Sequence, residues 1–207
     1  MRVIGITGGV GAGKSTVLEY LENVCGAFVI QADKVGHKVM EQGERCYEAV
    51  LELFGNHILD ENKNIDRSAI ADVVFKDKEM LEKLNGLIHP AVKAYILERL
   101  EEEKEAGRSL FVVEAALLLE DHYEVFCDEV WYIHTDAEIR IERLMKSRGY
   151  TREKACSIIK NQASEKFFRE HADCVIENNE EPEAVYARIA EEVKRNEILQ
   201  HCQREQR

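Results

Sequence analysis

Five short runs in the chain are dense in Val, Ile, Phe and Tyr and almost unbroken by charge: RVIGIT (2–7), AFVIQA (27–32), LFVVEA (110–115), EVWYIHT (129–135) and CVIEN (174–178). A strand with one wet face alternates apolar and polar residues, whereas continuous apolar runs suit strands covered on both faces. The five runs therefore predict a parallel sheet, with the intervening helical stretches as its crossovers. One interval is too long for a crossover. Residues 34–108 are largely helical in pattern, with candidate helices near 34–41, 44–54, 66–75, 78–86 and 90–106, the last ended by Gly107. This block reads as a helical subdomain inserted after the second strand, with the polar stretch GNHILDENKNIDR (55–67) as a loop within it. Pro182 opens an amphipathic helix over 182–199, and the polar QHCQREQR beyond it is expected to fray.

Composition narrows the class. The chain has 207 residues, 45% hydrophobic and 33% charged, enough for one sizeable domain or a core with an insertion. No apolar run approaches the roughly 20 residues of a membrane span, and the start MRVIGITGG lacks the longer apolar region of an export signal, so a cytoplasmic protein is expected. Cys25, Cys46, Cys127, Cys156, Cys174 and Cys202 are scattered, without C-x-x-C or Cys/His spacing, and read as reduced thiols rather than disulfides or a zinc site. The net charge of −12 argues against a general nucleic-acid or membrane-surface binder, and no obligate protein partner is evident. Yet residues 139–169 hold nine basic side chains (Arg140, Arg143, Lys146, Arg148, Arg152, Lys154, Lys160, Lys166, Arg169) against three acids. Such a window is either a solvated helix face or a local patch for a polyanion such as a phosphate chain.

The motif that decides between these is GITGGVGAGKST, in which Gly8-x-x-x-x-Gly13-Lys14-Ser15 follows a predicted strand and precedes a predicted helix. Glycines allow the tight wrap that turns backbone N–H groups towards phosphate oxygens, and the helix N-terminus adds its positive end. Gly9, Val10, Gly11, Ala12, Gly13, Lys14, Ser15 and Thr16 thus form a nucleoside-triphosphate cradle. In it Lys14 meets the β/γ-phosphates, the Ser15 hydroxyl is a ligand for Mg²⁺, and Thr16 faces the α-phosphate. Glu114, ending the third strand, is either a second carboxylate for the Mg²⁺ or a strand-end acid.

Two function classes follow from a nucleotide loop: phosphoryl transfer and a nucleotide-gated switch. DKVG (33–36) matches the D-x-x-G of a GTPase switch, but it follows Lys14 too closely to leave room for a switch loop. The guanine-reading N-K-x-D has no match either, since NKNID (62–66) has one residue too many and lies in the helical insertion. A small-molecule kinase needs an acceptor subdomain after the second strand and a late basic lid to exclude water. Both are present, as 34–107 and 139–171, around a core of 1–33, 108–138 and 172–207. The class is therefore α/β: a P-loop NTPase core with a five-stranded parallel sheet flanked by helices, a helical acceptor-binding insertion and a helical lid.

Several spaced pieces sharpen this reading: ADKVGHKV after the second strand, IDRSAIADVVF (65–75), LNGLIHPAV (84–92), ALLLE (116–120), RIERLMKSR (140–148), NQAS (161–164) and ADCVIENN (172–179). In these the chain resembles the dephospho-coenzyme A kinase family over nearly its whole length. The resemblance implies ATP-dependent phosphorylation of the ribose 3′-hydroxyl of dephospho-coenzyme A, with Mg²⁺, in the last step of coenzyme A biosynthesis. The alternatives are a kinase for another small metabolite or nucleoside monophosphate, or a non-enzymatic nucleotide-gated binding protein.

It further implies Asp33 as the general base, against a helix-capping role. Arg143 corresponds to the lid arginine near the ATP phosphates, against a surface ion pair with Glu142. Asn178 falls on the loop near adenine, against a simple two-Asn turn. On the acceptor side stand Arg67 (or a partner for Asp66), His89 (or a helix-start residue beside Pro90), Leu117 and Leu118. Three departures from the family pattern stand out: Gln31 for a frequent first Asp, Ala116 for a frequent proline and Glu180 for a frequent glycine. The first leaves Asp33 as the single carboxylate at that strand end.

Overall fold

The computed structural model describes the backbone of residues 1–205 and side-chain placement through residue 195. In chain order the strands are β1 (Arg2–Thr7), β2 (Phe28–Gln31), β3 (Leu110–Glu114), β4 (Glu129–His134) and β5 (Cys174–Glu177). The helices are α1 (Lys14–Asn23), α2 (Ala32–Lys38), α3 (Tyr47–Phe54), α4 (Arg67–Val74), α5 (Lys78–Glu105), α6 (Ala137–Arg148), α7 (Arg152–Lys160), α8 (Glu165–His171) and α9 (Pro182–Glu205). Each strand falls within a residue of its apolar run; β1, β3 and β4 are buried almost throughout, while the edge strands β2 and β5 are half-buried. The tail expected to fray continues α9 as far as Glu205; residues 206 and 207 lie outside the described residues.

The five strands lie in the order β2-β3-β1-β4-β5. β1 pairs in parallel with β3 and β4, and β4 pairs in parallel with β5. Parallel pairing sends the carboxyl ends of these strands to one edge, where Thr7, Glu114, His134 and Glu177 end their strands. Beneath that edge Ile4, Ile6, Val112, Trp131, Ile133 and Ile176 pack with Val17 and Leu21 of α1 and Val185 and Ile189 of α9. Each fully buried side chain of this kind contributes roughly 1.5–3 kcal/mol, and together they hold the edge rigid. Tyr20 and Tyr186 stack with ring centroids 4.4 Å apart where α1 meets α9.

The chain divides into two compact units, residues 1–29 with 107–207, and residues 30–106. In the first, α6 and α7 enclose a small core of Ile141, Leu144 and Ala155, against which Val10 of the glycine loop packs. Thr151 and Ser164 cap α7 and α8 by accepting from the N–H groups of Lys154 and Phe167. The second unit is built on α5, against which α2, α3 and α4 pack.

Two expectations in the second unit need correction. The helices expected at 78–86 and 90–106 are one helix of 28 residues that runs through Pro90. An interior proline costs about 3 kcal/mol and removes the donor for the carbonyl four residues back. Here Asp77 caps the helix by accepting from Glu79 and Met80 N–H, and the apolar row Ile88, Val92, Ile96 continues on one face across the proline. Packing of three helices on that face outweighs the break. The second correction concerns the start of α2: the helix expected from about 34 begins at Ala32 with Gln31 as its N-cap. Asp33, just past the end of β2, therefore sits in its first turn, where an acid suits the positive helix end.

Candidate active site

The loop between β1 and α1 is shaped by backbone conformations that only glycine adopts without strain, with φ of 77° at Gly11 and 83° at Gly13. Space also demands glycine: a Cβ on Gly8 would lie 2.6 Å from the Ile133 carbonyl oxygen, and one on Gly13 would lie 2.3 Å from Asn178 Nδ2. The loop is thus pressed against the ends of β4 and β5, and α1 starts at Lys14 with its first N–H groups facing the turn.

Side chains from distant segments hold this cradle. Lys14 Nζ donates to the Gly8 carbonyl at 2.7 Å and stands 3.5 Å from Glu114 Oε1. Glu114 is only 6% exposed, so its negative charge faces Lys14 rather than bulk water. The Ala12 carbonyl accepts from Thr135 Oγ1 at 3.0 Å and from Asn178 Nδ2 at 2.7 Å. Arg143 donates from Nη2 to the Asn178 carbonyl at 3.0 Å and from Nη1 to Thr135 Oγ1 at 3.4 Å. On the other side of the loop, Gln162 Oε1 accepts from Val10 N at 3.1 Å and from Arg140 Nη2 at 2.5 Å, while Arg140 Nε donates to the Val10 carbonyl at 2.8 Å. Burial lowers the Arg140 pKa from its ordinary value, with nearby Tyr132 acting the other way.

Beside the loop lies a cavity of about 660 Å³ lined by Gly13, Thr16, Arg143 and residues 178–182. The glycine loop forms one side and the turn after β5 the other, so a phosphate chain on the loop would lead a nucleoside into this space. Ser15 is exposed on the first turn of α1. Gly9 to Thr16, Glu114, Arg143 and Asn178 are therefore brought together in the first unit. Arg143 makes no ion pair with Glu142 among the described residues; its guanidinium donates to the loop's supports and also lines this cavity. The Asn178 amide is likewise buried and committed to Ala12.

The acceptor-side candidates are dispersed. Leu117 is 51% exposed, but Leu118 is fully buried, packed within reach of Gly5 and Cys127. Leu118 is therefore a core residue, and its assignment to the acceptor is corrected. Asp33, Arg67 and His89 belong to the second unit. His89 lies inside α5, not at a helix start. Asp66 caps α4 by accepting from Ser68 N, which leaves Arg67 pairing with no carboxylate among the described residues. Arg67 lines a cavity of about 450 Å³ with His37, Met40, Glu41, Asn64 and Ile65. Partial burial and the Arg67 charge lower the His37 pKa, while Asp33, one turn before it on α2, pulls the other way.

Thr135, Arg140, Gln162 and His37, which touch the cradle or line a cavity, were given no site role from sequence. Each had a visible signal. Thr135 closes a strand run, Arg140 is in the basic window, and Gln162 is in NQAS. His37 follows Asp33 by four residues, the helical spacing that puts both on one face.

Comparison with known proteins bears on this geometry directly. Residues 2–183 match the sequence profile of the dephospho-CoA kinases. The chain belongs to the dephospho-CoA kinase family. A dephospho-CoA kinase from Fusobacterium nucleatum is 38% identical over 91% of this chain and 95% of its own length. Another from Listeria monocytogenes is 36% identical over 94% and 96%. Among solved structures, a dephospho-CoA kinase from Campylobacter jejuni superposes with a TM-score of 0.70 at 26% identity, covering 94% of this chain and 96% of that one. A shikimate kinase from Acinetobacter baumannii shares the fold at a TM-score of 0.53 and 15% identity, covering 95% and 94%. The fold of a solved dephospho-CoA kinase thus recurs here over nearly the whole chain.

Proposed function

We propose that this dephospho-CoA kinase transfers the γ-phosphoryl group of ATP to the ribose 3′-hydroxyl of dephospho-coenzyme A, giving coenzyme A and ADP. The observation that carries the reading is the braced glycine loop, with Lys14 at its mouth and the cavity of residues 13, 16, 143 and 178–182 beside it. ATP binds along residues 8–16 with its base towards Asn178. Lys14 moves from the Gly8 carbonyl to the β/γ-phosphate oxygens, and Arg143 adds positive charge on the side of the lid. The donor set suits Mg²⁺: the Ser15 hydroxyl and the Glu114 carboxylate offer the hard oxygen ligands that this ion prefers. Bound there, the ion would neutralise charge on the phosphate oxygens.

The acceptor binds on the second unit. Arg67, on the wall of its cavity and without a carboxylate partner, is suited to an anionic group of the acceptor, and His89 and Leu117 extend the acceptor surface. Asp33 accepts the 3′-hydroxyl proton as the phosphoryl group leaves ATP. In a loose transition state positioning and charge contribute more than the base. Asp33→Asn is therefore expected to lower kcat by about 100-fold and to leave the KM for ATP within about twofold. Steady-state kinetics with ATP·Mg²⁺ and dephospho-coenzyme A measure both, and near-normal kcat would remove Asp33 from the chemistry.

A further inference from the structure

The ends of β4 and β5 carry a polar cluster that the phosphoryl-transfer reading does not use. His134, the last residue of β4, is 6% exposed. Its Nδ1 is 2.5 Å from Glu177 Oε2, at the end of β5, and its Nε2 is 3.3 Å from Glu165 Oε1, the first residue of α8. Arg169, one turn along α8, bridges the two carboxylates, with Nε 2.6 Å from Glu165 Oε1 and Nη2 2.8 Å from Glu177 Oε1. Three elements meet on one imidazole.

The residues that follow His134 and Glu177 in the chain are Thr135 and Asn178, the two that hold the Ala12 carbonyl. Three residues before Glu165 is Gln162, which holds Val10 and Arg140. The cluster thus sits directly behind both sets of braces on the glycine loop. We propose that His134 is a positioning residue for nucleotide binding: clamped between Glu165 and Glu177, it docks α8 on the strand ends and so fixes Thr135, Asn178 and Gln162 around the loop.

Both ring nitrogens face carboxylate oxygens, so the imidazole ties Glu165 of α8 and Glu177 of β5 together from its two sides. The charged and titratable groups around the ring are Glu165 and Arg169 from α8, Glu177 from β5 and Tyr132 from β4, whose ring centroid lies 5.7 Å from that of His134. Phe168 stacks on Tyr132 at 4.9 Å, an apolar hold that keeps α8 docked when the polar clamp is weakened.

The inference rests on the placement of ATP along residues 8–16. The test compares wild type, His134→Gln and Glu165→Gln, with Lys14→Ala as a control, by calorimetric ATP binding and by kcat and KM under one set of conditions. The expected result is a KM for ATP raised about fivefold in His134→Gln and about threefold in Glu165→Gln, with kcat within about twofold. Wild-type KM for ATP in both variants overturns the inference, as does a fall in thermal midpoint with unchanged kinetics of the folded protein. If Lys14→Ala loses ATP binding while the other two bind as wild type, the inference alone fails. If Lys14→Ala binds ATP normally, the placement fails and takes the inference with it.

Discussion

A methyl group on residue 13 would stand 2.3 Å from Asn178 Nδ2 at a backbone φ of 83°, so Gly13→Ala meets both a clash and a disfavoured conformation. The least strained escape pushes Asn178 off the Ala12 carbonyl and loosens the cradle. The expected outcome is a loss of about 100-fold or more in kcat/KM for ATP, read by steady-state kinetics, with a smaller change in thermal midpoint. Two carboxylates at the strand ends make a separate expectation. Hydrogen bonds from Arg169, with His134 nearby, hold Glu165 below its ordinary 4.5. Burial pushes Glu177 upward, but Arg169 and His134 outweigh it and hold Glu177 low as well. A depressed carboxyl contributes stability that is present above its unfolded value and is lost as the pH falls through the folded one. Unfolding free energy measured in urea should therefore fall more steeply below about pH 4.5 in wild type than in Glu177→Gln. Parallel curves would contradict the assignment. At this scale the reactive residue types were legible, since Lys14 and Ser15 follow from a local motif. The braces were not, because Asn178 reaches Ala12 across 166 positions of sequence.

Gly36 shows what whole elements add. As the last residue of DKVG it mimics a switch glycine, but it lies within α2, where a Cβ would stand 3.8 Å from Ile88 Cγ2 and Val92 Cγ2 of α5. That is ordinary packing distance, in a conformation open to any residue. Gly36→Ala is therefore expected to raise stability by about 0.5–1 kcal/mol, measured by urea unfolding, without changing the KM for ATP. A switch glycine would not tolerate the change. The same helix shows why its start was expected two residues late: AFVIQA reads as strand to its end, and the turn into α2 at Gln31 carries no proline, glycine or side-chain cap to announce it. α5 is the opposite case. Pro90 announces a break that packing of α2, α3 and α4 overrides.

Over the whole molecule, the parallel sheet was readable because its strands are continuous apolar runs, and a helical block after β2 was expected because 34–108 is too long for one crossover. The acidic balance of −12 coexists with a basic run in α6, α7 and α8, and part of that run is spent internally: Arg140 and Arg143 on the cradle, Arg169 on the strand ends. Charge counting does not distinguish a side chain that meets phosphate from one that braces the loop. The acceptor remains the least local feature, resting on spaced motifs and family membership rather than on one cluster.

One measurement addresses the central claim most directly: incubation with ATP·Mg²⁺ and dephospho-coenzyme A, followed by chromatography and mass spectrometry of the products. The account predicts ADP and coenzyme A in equal amounts, with the new phosphate on the ribose 3′-oxygen and no comparable ADP without acceptor. ADP released at the same rate without dephospho-coenzyme A, or phosphate found only on a different acceptor, would contradict it.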